Sequence, residues 1–158
     1  MSQSAEQELL SGLALTSFRL NGQFLALAEE MARPVGLTAA WWQVLGAVLN
    51  APLSVAGIAR EMGMARQSVQ RIADLLVDRG LADYRPNPAH RRAKLVAPTA
   101  RGRKAVHAID PAHAEVAARL SSAMGREEMA SALAAMRRVC EVLDRLDGET
   151  AESAPQAG

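Results

Sequence analysis

The placement of prolines and glycines is what most limits the folds open to this chain. Pro34, Pro52, Pro98 and Pro111, with Gly36, Gly63, Gly80 and Gly125, divide it into pieces about one helix or one hairpin long. Proline removes a backbone donor and disfavours helical geometry in the residue before it, while glycine enters the left-handed conformation that reverses a chain. Between the breaks, apolar residues recur at helical spacing. In residues 6–32, Leu9, Leu13, Leu20, Phe24, Leu27 and Met31 follow intervals of three, four or seven, which predicts a long amphipathic helix closed by Pro34 and Gly36. Thr38 can cap a second helix through "AAWWQVLGAVLN", ending before Pro52, and Ser54 can cap a short third one, "VAGIAREM". Gly63 supplies a turn, and a fourth helix runs from about 65 to 79, with Gly80 at its stop.

Residues 81–98, "LADYRPNPAHRRAKLVAP", break the helical pattern. Two prolines and an asparagine sit mid-segment between short runs holding Tyr84 and Leu95-Val96, which predicts a hairpin with a basic tip. After Thr99 a helix resumes with Val106, Ile109, Val116 and Leu120 on one side, and Pro111 either kinks it or begins a new segment. In residues 126–146, Met129, Leu133, Met136, Cys140 and Leu143 form a heptad-like seam on a last helix. The seam predicts a buried Cys140 acting as a small hydrophobe rather than a redox group. Residues 1–5 and 148–158 read as disordered ends.

Hydrophobic residues make up 49% of the chain but aromatic ones only 3%, a balance that favours helices over a sandwich or barrel. The longest apolar runs fall far short of the ~20 residues of a membrane span. The opening "MSQSAEQELLSG" has acids where a secretory signal needs a basic region. A single cysteine leaves no intrachain disulfide and fits a reducing compartment, so the expected location is the cytoplasm, at the nucleoid if the partner is DNA. No nucleophile-and-base arrangement, paired catalytic carboxylates or phosphate loop is present, so no enzyme and no cofactor is expected. His107, Asp110 and His113 are spread around a helix that Pro111 disturbs, so no metal is expected either.

The formal net charge of +1 conceals an asymmetry. Between Arg60 and Lys104 there are eleven Lys or Arg against four Asp or Glu, a net of +7, and the remainder carries a net of −6. A basic middle between acidic ends suits a chain that meets a polyanion in one region only.

Residues 54–80, "SVAGIAREMGMARQSVQRIADLLVDRG", satisfy the demands of a helix-turn-helix. Ala59 is small where the second helix crosses the first, and Ile58, Met62, Val69 and Ile72 can fill the angle between them. The opposite side of the second helix gathers Arg66, Gln67, Gln70 and Arg71, with no acid until Asp74. Such a helix fits the major groove, where Arg pairs with guanine and Gln with adenine. The following hairpin carries Arg85 on its incoming strand and Arg91, Arg92 and Lys94 at its tip, the layout of a winged helix whose wing meets phosphates or the minor groove. The fold class read from this order is mainly α with a small β-hairpin wing. The terminal helices carry apolar stripes that either pack on each other within one chain or, more economically, pair with a second copy as dimerisation helices.

In "GLTAAWWQVLGAVL", in residues 54–96 and in "PTARG", over about residues 10–146, the chain resembles the MarR (multiple antibiotic resistance) regulators. The resemblance implies one domain over 6–147, with a DNA-binding lobe at 38–98 and dimerisation helices at 6–34 and 99–147. It implies a homodimeric repressor of a pseudo-palindromic operator, released by a small and often aromatic effector. By position it adds Ser68 to Arg66, Gln67, Gln70 and Arg71 as the major-groove set, and makes Arg91 or Arg92 the wing arginine. Where the family wing commonly has acids before its arginines, this chain has Ala89 and His90. The family's effectors bind between the dimerisation helices and the lobe, which points to Trp41 and Trp42, with Met31 and His107 as neighbours. The family's hydroperoxide mechanism is not expected, because the first helix has no cysteine and Tyr84 is the only tyrosine. Two other functions share these sequence features: a winged-helix module for protein–protein assembly, and a non-specific architectural DNA-binding protein.

Overall fold

The structure is a computed structural model and describes residues 4–152. One compact unit ends at Ala112 and a second begins at His113.

The first unit opens with helix α1, Ala5–Ala32, started by a capping box in which Ser4 accepts from Gln7 N–H and the Gln7 side chain accepts from Ser4 N–H. A 3-10 turn, Arg33–Val35, carries Pro34 and ends the helix where the sequence predicts. Helix α2, Ala39–Ala47, is capped by Thr38, and Glu29 of α1 also accepts the Ala39 N–H at 2.7 Å. It is shorter than the sequence predicts: Val48 leaves helical geometry and is itself buried. A two-residue strand, β1 (Leu53–Ser54), precedes helix α3, Val55–Met62. Gly63 turns the chain at φ +62 into helix α4, Arg66–Asp78. Strands β2 (Ala82–Arg85) and β3 (Leu95–Pro98) form the hairpin, and Thr99 caps helix α5, Ala100–His107.

The sheet has the order β1-β3-β2, antiparallel throughout, with Val96 of β3 opposite both Leu53 and Tyr84. The sequence predicts only a two-stranded hairpin; β1 is too short to leave a periodic signal. Leu45, Val48, Ile58, Val69, Leu76 and Val96 are fully enclosed, so α2, α3, α4 and the sheet share one core. Among the described residues, no polar or charged side chain is fully buried. One close approach depends on glycine: a Cβ at Gly102 would collide with the Leu81 carbonyl.

Helix α6, Asp110–Met124, begins at Asp110, so Pro111 sits in its first turn as the start of a new segment rather than a kink. In the second unit, Gly125 at φ +90 separates α6 from helix α7, Arg126–Glu152. Helix α7 continues past 147, where the sequence predicts a disordered tail. The alanine and acids of 149–152 tolerate helix, and Gly148 costs only about 1 kcal/mol within it. The expected disorder of residues 1–3 and 153–158 lies outside the described residues. Leu133, Met136 and Leu143 are exposed, and so is Cys140. This corrects the expectation of a buried cysteine: the seam is apolar, but this chain leaves it open. Leu9, Leu13, Phe18 and Phe24 of α1 are exposed in the same way.

Candidate nucleic-acid interface

Helix α4 divides cleanly by side. Val69, Ile72, Ala73 and Leu76 are buried, while Arg66, Gln67, Gln70 and Arg71 are exposed on the opposite side. Ser68, the member added by resemblance, is half-buried at the edge of that surface. Asp74 and Asp78 follow on the exposed side, so the cationic and amide groups occupy only the N-terminal half. Ala65 at the N-cap provides no side-chain acceptor for the first backbone N–H groups of α4.

Arg85 ends β2, and Arg91, Arg92 and Lys94 lie in the connection to β3, all exposed. The wing lacks the acids that commonly precede its arginines, and Asn87 shapes the turn instead. Its side-chain oxygen accepts from Ala89 N–H at 3.0 Å, and its carbonyl accepts from His90 N–H at 3.2 Å. The Lys94 ammonium lies 5.6 Å from the centre of the Tyr84 ring.

An interaction that the sequence does not announce joins this wing to α4. The Gln70 amide donates from Nε2 to the Tyr84 hydroxyl and to Asp74 Oδ1, both at 3.0 Å, and the Tyr84 hydroxyl donates to Asp74 Oδ1. Burial, with the Asp74 carboxylate as a smaller contribution, pushes the Tyr84 hydroxyl up to about 12. The available signal is strand alternation: Ala82 and Tyr84 share the inward face of β2, and Asp83 and Arg85 the outward one.

Not every cation between 60 and 104 belongs to this surface. Arg79 stacks over Trp41 at 5.5 Å, Arg101 donates to the Arg79 carbonyl, and Arg103 donates to the Leu49 carbonyl.

The four residues expected around an effector are not all in one environment. Met31, Trp41 and Trp42 pack against the core of the lobe, and His107 is exposed with Nδ1 3.2 Å from Asp110 Oδ2. An open groove of about 570 Å³ lies instead against Asn21 and Leu25 of α1, Thr38 and Gln43 at α2, and Met62 and Met64 at the α3–α4 turn.

Residues 35–93 match the model of the MarR family. An uncharacterized protein of Mycobacterium tuberculosis is 35% identical over 134 residues, covering 85% of this chain and 94% of that one. The chain belongs to the MarR family. Among solved structures, the transcriptional repressor CouR bound to a 23-mer DNA duplex has a TM-score of 0.68 at 25% identity, covering 88% of this chain and 98% of that one. CouR from Rhodococcus jostii bound to p-coumaroyl-CoA gives 0.61 at 25%, covering 90% and 95%. A mutant MarR from Escherichia coli complexed with operator DNA gives 0.69 at 21%, covering 87% and 99%, and shares the fold. Like these, the chain is a winged-helix protein of a family of transcription regulators. Among its described residues, no helix is long and apolar enough to cross a membrane.

Proposed function

We propose that this MarR-family protein is a homodimeric, sequence-specific DNA-binding regulator that represses from a pseudo-palindromic operator until a small molecule releases it. The observation that carries the reading is the exposed N-terminal half of α4, with Arg66, Gln67, Gln70 and Arg71 opposite a fully buried face. A helix held in that way can enter a major groove without unfolding anything, and its first turn favours phosphate. Arg85, Arg91, Arg92 and Lys94 then reach the flanking backbone or minor groove, and Ser68 assists from the edge of the helix. In this reading 38–98 is the DNA-binding lobe, and 6–34 and 99–147 are the dimerisation helices. The exposed apolar side chains of α1 and α7 support that division, because a second copy would cover them. Such a protein works in the cytoplasm, at the nucleoid.

Release by a ligand is supported by the CouR structure bound to p-coumaroyl-CoA and by the groove beside α1 and α2 in this chain. Met31, Trp41, Trp42 and His107 remain the aromatic-effector set proposed by resemblance, although the groove is lined by others.

Selection of bound duplexes from a random pool tests the central reading. A two-fold symmetric motif with half-sites about one helical turn apart is the expected result. Binding without sequence preference would make the protein architectural. No binding even at low salt would make the lobe a protein–protein module.

A further inference from the structure

We propose that Tyr84 is a positioning residue for base recognition: with Asp74 it fixes the Gln70 amide so that a defined edge of that amide faces an A·T pair. This rests on the reading that α4 enters the major groove. A glutamine on a helix surface gives up side-chain freedom when it is ordered, so an unrestrained one discriminates bases poorly. Gln70 is already held. Its Nε2 donates at 3.0 Å to the Tyr84 hydroxyl and at 3.0 Å to Asp74 Oδ1.

Those two acceptors are themselves joined by the hydrogen bond from the Tyr84 hydroxyl to Asp74, so they lie on the same side of the amide nitrogen. Acceptors so close together can be served by one N–H, which would leave the second N–H and the carbonyl as the donor–acceptor pair that matches N7 and the N6 amino group of adenine.

The holding residues are fixed in turn. Tyr84 sits opposite Val96 in the sheet, and Lys94 lies over its ring. Asp74 lies one helical turn beyond Gln70, the spacing at which side chains on a helix meet. The hydroxyl, pushed up to about 12, stays protonated and keeps donating to Asp74 throughout the pH range in which DNA binding is measured.

The test compares full-length wild type, Tyr84→Phe, Gln70→Ala and the double variant, first by duplex selection and then by anisotropy titration. The probes are the selected operator and the same operator with one base pair exchanged symmetrically in both half-sites. The exchanged pair is the one whose preference Gln70→Ala erases. That pair is expected to be A·T, with wild type discriminating by about tenfold per half-site. Tyr84→Phe is expected to cut this to about threefold or less, leaving affinity for mixed-sequence duplex and its salt dependence unchanged. In the Gln70→Ala background, Tyr84→Phe should add nothing, since it acts through that amide.

Asp74→Ala lies on an exposed helix face and should narrow discrimination in the same way, which keeps the inference testable if Tyr84→Phe folds poorly. A Tyr84→Phe protein with undiminished discrimination overturns the inference, and so does one with an equal loss in the Gln70→Ala background. A wild-type protein that selects no motif overturns the DNA-binding reading, and this inference with it.

Discussion

Leu76 on α4 and Leu143 on α7 both belong to the apolar stripe of an amphipathic helix. Leu76 is fully enclosed, whereas Leu143 keeps 51% of its surface open. The same contrast separates the winged lobe from α1 and α7 generally. In the lobe, three helices and a small sheet close over one another's apolar faces. On α1 and α7, Leu9, Leu13, Phe18, Leu133, Met136 and Leu143 are left exposed. Periodicity tells which side of a helix is apolar and nothing about what covers it. In one region the cover is the chain itself. In the other, on the reading proposed above, it is a second copy.

The comparison breaks most visibly at Leu76→Ala. Removing an enclosed leucine from a core is expected to cost about 4 kcal/mol of stability, from forfeited transfer energy and the cavity left behind. The loss, read as a shift in urea midpoint, should not depend on protein concentration. A concentration-dependent loss would mean that the lobe does not close over its own core. Gly102→Ala should follow at about 3 kcal/mol, because the new methyl group meets the Leu81 carbonyl and backbone cannot step aside as a side chain can.

Leu143→Ala sharpens the other half of the comparison. A leucine already half-covered has about 1 kcal/mol left to gain from burial, and a symmetric interface counts it twice. Sedimentation is expected to show the dimer dissociation constant raised about thirtyfold, near 2 kcal/mol. An unchanged dimer would place the interface elsewhere.

Much of the fold was legible because its signals are local. Thr38, Ser54 and Thr99 cap the helices that follow them, and Gly63 turns left-handed between α3 and α4. The exposed face of α4 was legible too, since a helix buries one stripe and must present the other. What escaped the sequence depends on distant partners. Nothing near Gly102 announces the Leu81 carbonyl, and nothing near Gln70 announces a tyrosine fourteen residues on. Cys140 escaped for the same reason, its apolar neighbours being visible and its lack of cover not. The effector residues were carried over by position, since a ligand pocket assembled from distant helices leaves no local signal in a sequence.

Within the proposed interface, helix and wing should differ in kind. Arg66→Ala is expected to weaken operator binding by about 1.5 kcal/mol and to relax preference at one base pair, with thermal stability unchanged. Equal weakening on every sequence would demote Arg66 to a phosphate ligand.

Arg92→Ala is expected to have the smallest effect, under about 1 kcal/mol at physiological salt, and its signature is the slope rather than the affinity. Arg92 is exposed in a turn shaped by Asn87, so truncating it disturbs no packing. If its guanidinium neutralises one phosphate per protomer, log K against log salt should flatten by ~0.9 for each phosphate no longer neutralised, on operator and random duplex alike. A slope that does not change, together with a weakening confined to operators carrying a narrow minor groove, would instead assign Arg92 to shape recognition. The first result would make the wing a source of grip, since a cation that neutralises phosphate senses charge density and not which base is present; the second would give the wing a share in the choice of sequence alongside α4.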